Sequence, residues 1–105
     1  MGVEQHTVVI VTSWDRQQLR EAAWSAEARM GGLTTRIVES PVNQLGSFFI
    51  APCGSKLGWE GEQEHTATIA QYVIDVKRRW PHVTIKIVSF GDLGDTFLPT
   101  PEGPK

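Results

Sequence analysis

The alternation of strand-like and helix-like segments is the feature that most limits the folds open to this chain. Residues 7–12 are β-branched throughout and predict a buried strand. Residues 35–38 and 47–51 predict a second and a third strand, joined by a turn that contains Pro, Asn and Gly. A helical segment over about 66–79 then leads to an alternating apolar strand over 83–90.

Another helical segment lies between the first two strands, where Ser13 is expected to cap the helix and Gly31 to end it. Both helical segments carry an apolar stripe at helical spacing, which predicts packing on one side of a sheet. The stripe residues are Leu19, Ala22, Ala23, Ala26 and Met30 in the first, and Ile69, Tyr72, Val73, Val76 and Trp80 in the second.

The resulting order is strand, helix, strand, strand, helix, strand. With right-handed crossovers this order predicts a ferredoxin-like βαββαβ sandwich of the α+β class, with a four-stranded antiparallel sheet and both helices on one face. We expect a single α+β domain over residues 1–95 and a flexible Pro/Gly-rich tail over 96–105. A fold of this kind does not by itself specify a function.

Charge and composition narrow the classes of partner. A net charge of −2 lacks the basic excess typical of nucleic-acid binding, so nucleic acid is disfavoured as a partner. The single cysteine excludes an internal disulfide. The N-terminus lacks a signal-peptide pattern, and its longest apolar run, Val8 to Val11, is too short to span a bilayer. We therefore expect a cytoplasmic protein with no membrane partner.

The stretch "IAPCGSKLGWEGEQEH", residues 50–65, is the part of the sequence most suggestive of chemistry. Cys53 and His65 can meet across the loop as a nucleophile and its base, but no third orienting residue is evident. A small, half-buried structural cysteine is the favoured interpretation. The alternative is a small enzyme or small-ligand binder that uses Cys53, Lys56 and His65.

Two other chemistries fit this stretch less well. The lysine after Gly54 and Ser55 lacks the glycine frame of a phosphate loop, and the acids at the following helix start repel anions. Those acids match no calcium-loop spacing and are explained by the helix dipole. No cofactor and no metal site are therefore expected.

The loop also carries a resemblance. "PCGSKLGW" at residues 52–59, followed by acids, a helix, a strand and "SFGD" at 89–92, resembles small phage and prophage proteins of unassigned function that share a P-x-G-S-K-x-G-W loop. The resemblance covers about residues 48–95, and this chain departs from it at Cys53, where an acidic residue is more common. It implies roles from a virion or replication factor to an inhibitor of a host enzyme or defence complex, and it transfers no catalytic residues.

Exposed aromatic and charged residues suggest where a protein partner binds. Trp24 lies about 140° from the stripe of its helix, and it faces either a partner or Ile74 of the second helix. Arg78 belongs to a basic helix end that is either solvated or in contact with an acidic partner. The residues assigned to partner binding are Lys56, Trp59, Glu60 and Glu62 on the loop, with Trp24 and Arg78 as outlying candidates.

The sheet face without helices is the second candidate surface. Strand residues that alternate with the core set leave it apolar, and Phe48 and Phe49 are assigned to it as an oligomer face for a homodimer. Aromatics on such a sheet also resemble RNA-stacking platforms, but the RNA-binding signature is missing.

The function expected from the sequence is therefore a non-enzymatic phage or prophage protein-interaction module. It would bind a host protein or itself, as an effector or inhibitor of a host protein complex.

Overall fold

A computed structural model describes residues 2–100, which form a mixed α+β fold with two helices and a five-stranded antiparallel sheet. The strands are β1 (Gln5–Ser13), β2 (Val38–Glu39), β3 (Gly46–Ile50), β4 (Thr84–Gly91) and β5 (Thr96–Leu98). The helices are α1 (Arg16–Met30) and α2 (Glu60–Arg79), and a 3₁₀ turn over Gly31–Leu33 follows α1. The strand order is β2-β3-β1-β4-β5.

Strand β1 is the centre of the sheet because it pairs with β3 on one side and β4 on the other. Val9 lies opposite both Ile50 and Ile87, and all three side chains are buried. Successive strand residues point to opposite faces, so this register fixes which residues enter the core.

The core lies between the sheet and both helices, on one side of the sheet only. The predicted stripes are confirmed, since Leu19, Ala22, Ala26 and Met30 of α1 are buried together with Ile69, Tyr72, Val73 and Val76 of α2. Tyr72 joins the helices by donating its hydroxyl to the Ala22 carbonyl at 2.7 Å. Burial raises the pKa of the Tyr72 phenol, which therefore stays protonated and able to donate.

Both helices begin at other residues than the sequence predicts. Ser13 is the last residue of β1, and Asp15 caps α1 by accepting from the Gln18 amide at 3.0 Å. Helix α2 begins at Glu60 rather than near Thr66. Its first turn is polar and contains a glycine, so the apolar period begins only after the helix has started.

The fifth strand falls in the segment that the sequence assigns to a flexible tail. Val88 of β4 lies opposite Phe97 of β5, so Thr96–Leu98 extends the sheet instead of fraying. A three-residue strand shows too little alternation to be recognised beside prolines and glycines. Residues 101–105 of the predicted tail lie outside the described residues.

The predicted second strand is also displaced, because β2 is the two-residue strand Val38–Glu39 rather than residues 35–38. Thr35 instead donates its amide to the Phe49 carbonyl at 2.9 Å, outside a regular ladder. No helix within residues 2–100 is long and apolar enough to cross a membrane.

Candidate functional site

The sheet face opposite the helices is largely apolar but also carries the exposed Lys86, which lies opposite Ile10; we call it the open face. Its central residues face one another across the strands: Val8 lies opposite Val88, Ile10 opposite Phe49, and Val88 opposite Phe97. Phe97 is 73% exposed and Phe49 is 44% exposed. Both helices pack on the other side, so neither helix shields these side chains.

The two adjacent phenylalanines of β3 face opposite sides. Phe48 lies opposite Val11 and is fully buried in the core, whereas Phe49 lies on the open face. The prediction that Phe48 belongs to an oligomer face is therefore wrong, because its side chain packs beneath the helices. Phe49 remains a candidate for that role.

Polar residues lie at both ends of the open face, and Lys86 is a further polar residue within it. Thr12 and Ser47 form a hydrogen bond of 2.9 Å between their hydroxyls at one end. At the other end the rings of His6 and Phe90 have their centroids 5.8 Å apart. Polar residues around a mainly apolar surface are common in protein interfaces.

The loop between β3 and α2 is tied to the N-terminal segment. Leu57 donates its amide to the Val3 carbonyl at 2.9 Å, and a Cβ added at Gly2 would lie 2.8 Å from Cδ of Lys56. The Lys56 ammonium lies 5.9 Å from the centre of the Trp59 ring. The Lys56 side chain therefore already contacts other residues of the chain, whereas the Trp59 side chain is 55% exposed.

Of the two loop acids assigned to partner binding, one has an internal role. The Glu62 carboxylate accepts from the Gly58 amide at 3.3 Å and from the Thr66 hydroxyl at 3.2 Å, which supports the start of α2. Glu60 is exposed. The loop therefore presents Trp59 and Glu60 as its accessible contact residues.

Trp24 lies on a different surface. Its side chain is 62% exposed and, with Glu21, Arg79 and Trp80, it lines an open groove of about 470 Å³. The Arg79 guanidinium lies 4.9 Å from the centre of the Trp80 ring, and the Trp80 indole donates to Glu21 at 2.7 Å.

The residues assigned to partner binding therefore do not form one site. Trp59 precedes α2 and Arg79 ends it, and a 20-residue helix is about 30 Å long. Arg78 is exposed but does not line the groove, so Arg79 is the basic residue beside Trp24 that the sequence analysis missed. The positions of Arg79 and Trp80 in the helical pattern do not predict that their side chains stack.

Cys53 and His65 both line a small cavity that we call the polar cavity. Thr7, Ser55, Glu62 and other residues complete its lining, and Lys56 is not part of it. Its volume is about 10 Å³, which is room for one water molecule and too little for a substrate. Within residues 2–100 no three His, Cys, Asp or Glu residues lie close enough together to hold a metal ion.

His65 has an unsatisfied nitrogen in this region. Its Nε2 is buried and has no hydrogen-bond partner among the described residues. Burial lowers the pKa of His65, and the Ala51 backbone and the Glu62 carboxylate offset that effect only in part. The imidazole is therefore neutral near pH 7.

We expect the stability of the protein to decrease on mild acidification because of His65. Its pKa in the folded state lies below its ordinary value of 6.5, so the unfolded chain binds the extra proton more readily. The contribution of neutral His65 to the stability of the fold is complete above about pH 6.5, and it decreases as the pH falls towards the folded-state pKa. The free energy of unfolding, measured by urea denaturation at several pH values between about 7.5 and 5, should decrease less with falling pH in His65→Gln than in the wild type. An equal decrease in both proteins would contradict the assignment to His65.

No family model, curated protein or solved structure matches this chain.

Proposed function

We propose that the protein is a non-enzymatic interaction module that pairs with a second copy of itself through the open face. The observation that carries this proposal is the largely apolar surface formed by Val8, Ile10, Phe49, Val88 and Phe97, which Lys86 interrupts opposite Ile10. The largest apolar patch on a monomeric protein, typically of several hundred Å², is often an interaction site.

The size of the open face suits a weak, reversible contact with a second copy. The five strands contain 27 residues in all, and at about 3.4 Å per residue and about 4.8 Å between strands they give a face of about 440 Å². Two such faces bury about 900 Å², which is in the range of weak and transient protein interfaces. A twofold axis through the face would bring the same apolar columns of both copies together, so no second, complementary patch is needed.

The same proposal includes the finer description of the fold. The order β2-β3-β1-β4, with both helices on one side, supports a ferredoxin-like βαββαβ framework to which β5 adds an outer strand. In this framework the face away from the helices is uncovered, and β5 enlarges it by adding Phe97.

The resemblance of the loop at residues 52–59 supports a phage or prophage origin. In that setting the module would act in the host cytoplasm as an effector or inhibitor of a host protein complex. Trp59 and Trp24 are then the exposed aromatics available to a host protein, on separate surfaces. Tryptophans beside basic residues are frequent at the energetic centres of interfaces.

Replacing Phe49 with Glu is expected to split the dimer. The wild type should show about twice its chain mass of 11.7 kDa in multi-angle light scattering, and Phe49→Glu should show a single chain mass. The new carboxylate would be buried without a partner against the apolar face of the other copy. This weakens the free energy of association by about 3 kcal/mol or more.

Trp24→Glu is the matched control, because Trp24 is also an exposed aromatic but lies on the helix side. It should leave the mass at two chains. A wild type that stays at one chain mass at high concentration would refute the proposal, as would a Phe49→Glu variant that remains a folded dimer.

A further inference from the structure

Lys86 is the charged lysine within the open face, and its neighbours in β4 fix its orientation. Ile85 and Ile87 on either side of it are buried in the core, so the Lys86 side chain points to the opposite face. It is exposed and lies across from Ile10 of the central strand. No ion pair within residues 2–100 involves its ammonium group. The charge therefore lies inside the apolar surface rather than at its polar ends.

The open face offers no carboxylate to a second copy. Glu39 is the one acidic residue in the five strands. It lies opposite Gly46, and a Cβ added at Gly46 would lie 2.6 Å from Cδ2 of Leu19 in α1. Glu39 also pairs with Arg16 of the same helix, so it belongs to the helix side of the sheet. When two open faces meet, neither lysine finds an acidic partner on the strands of the other copy.

Self-pairing also brings the two lysines close together. Strand β4 is next to the central strand, and Lys86 lies near the middle of that strand's length. A twofold axis through the centre of the face therefore places the two Lys86 positions within about 10 Å of each other, or two strand spacings. Like charges at this separation repel, and desolvating an ammonium without a partner is costly. The pairing of two identical copies is weakened for both reasons.

A partner with one carboxylate inside an apolar surface removes this cost. Its acid would form a charge-assisted hydrogen bond with Lys86, and its apolar residues would cover Phe49, Val88 and Phe97 as a second copy does. Electrostatic complementarity of this kind separates one partner from another, because the self-pair lacks it.

We propose that Lys86 selects the partner of the open face, so that a protein whose apolar surface carries one carboxylate displaces the second copy. This inference rests on the proposed use of the open face as an interface. It adds the chemistry of the contact surface on the host protein, and it makes the homodimer the state that the host protein disrupts.

A copy of this protein with Lys86→Glu is the probe, because it presents the same apolar face with a carboxylate in place of the ammonium. The wild type and Lys86→Glu are each diluted until light scattering gives a single chain mass. An equimolar mixture at the same total concentration should then move towards two chain masses, and added salt should partly reverse the change. Lys86→Met removes the charge and should lower the dissociation constant of the homodimer about tenfold.

Arg20→Glu is the matched control, since Arg20 is exposed on α1 and the substitution changes the net charge by the same amount. Its mixture with the wild type should stay at one chain mass. A Lys86→Glu mixture that stays at one chain mass, or an Arg20→Glu mixture that does not, would overturn the inference. An unchanged dissociation constant in Lys86→Met would do the same.

Failure of the dimer proposal is a separate outcome. A wild type that never dimerises refutes self-pairing only, because the mixture still tests the pairing of Lys86 with a carboxylate. Binding of a short oligothymidylate that Lys86→Met abolishes would assign the open face to nucleic acid and overturn the inference.

Discussion

Phe48→Ala is expected to lose about 3–5 kcal/mol of the free energy of unfolding. The Phe48 ring is fully buried between the sheet and the helices, where it lies beside Val11. Its removal leaves a cavity that the surrounding residues fill only in part. Since a domain of this size has a total stability of about 5–15 kcal/mol, such a loss brings it close to unfolding at room temperature. Urea unfolding followed by tryptophan fluorescence measures the change.

Phe49→Ala is the matched control, at the next position of the same strand. Its ring is exposed and it lies opposite Ile10 of β1, so the expected loss is about 1 kcal/mol or less. Both variants are compared at protein concentrations where light scattering gives a single chain mass, because association stabilises the folded state. Equal losses for the two variants would contradict the register of β3 against β1.

Gly91→Ala is expected to destabilise the protein by about 3 kcal/mol, through backbone strain and lost hydrogen bonds. Gly91 has a φ of 138°, and an added Cβ would lie 2.1 Å from the Glu4 carbonyl oxygen. That oxygen accepts from the Asp92 amide at 2.8 Å, so the new methyl group would force the ends of β1 and β4 apart.

Gly94→Ala separates the strain from the collision. Gly94 also has a positive φ, of 93°, but an added Cβ would meet no atom within 4 Å. It should cost only the strain of this conformation, about 1–2 kcal/mol. Thermal unfolding of the two variants measures the difference. If Gly94→Ala is as destabilising as Gly91→Ala, the approach of Glu4 is not the cause.

Much of the architecture follows from periodicity in the sequence. The apolar residues of both helices recur at helical spacing over more than two turns. The central strands of the sheet are rich in β-branched residues. These signals identify the elements because they reflect one-sided burial. Strand β5 and the first turn of α2 carry no such signal, since one is three residues long and the other is polar throughout.

The orientation of individual side chains depends on pairing between distant strands. A period of two shows that Phe48 and Phe49 face opposite sides, but both are equally apolar, so the sequence does not indicate which enters the core. The register of β3 with β1 decides it, by placing Phe48 beside Val11.

The candidate sites show the same limit. Cys53 and His65 are close in sequence and line the same small cavity, whereas Lys56 lies along Gly2 and outside that cavity. That contact depends on where the N-terminal segment runs, which no local pattern encodes. The stacking of Arg79 on Trp80, rather than a role for Arg78, likewise depends on how α2 ends.

The central position of β1 has a consequence for how the chain reaches its native state. Strand β1 is synthesised before β4, and its second edge stays unpaired until β4 is available. Contacts this distant in sequence require large loops to close, which slows folding relative to a helical domain of the same size. During synthesis, β1 therefore leaves the ribosome as an apolar segment with an unpaired edge, which chaperones or other nascent chains can bind until β4 emerges.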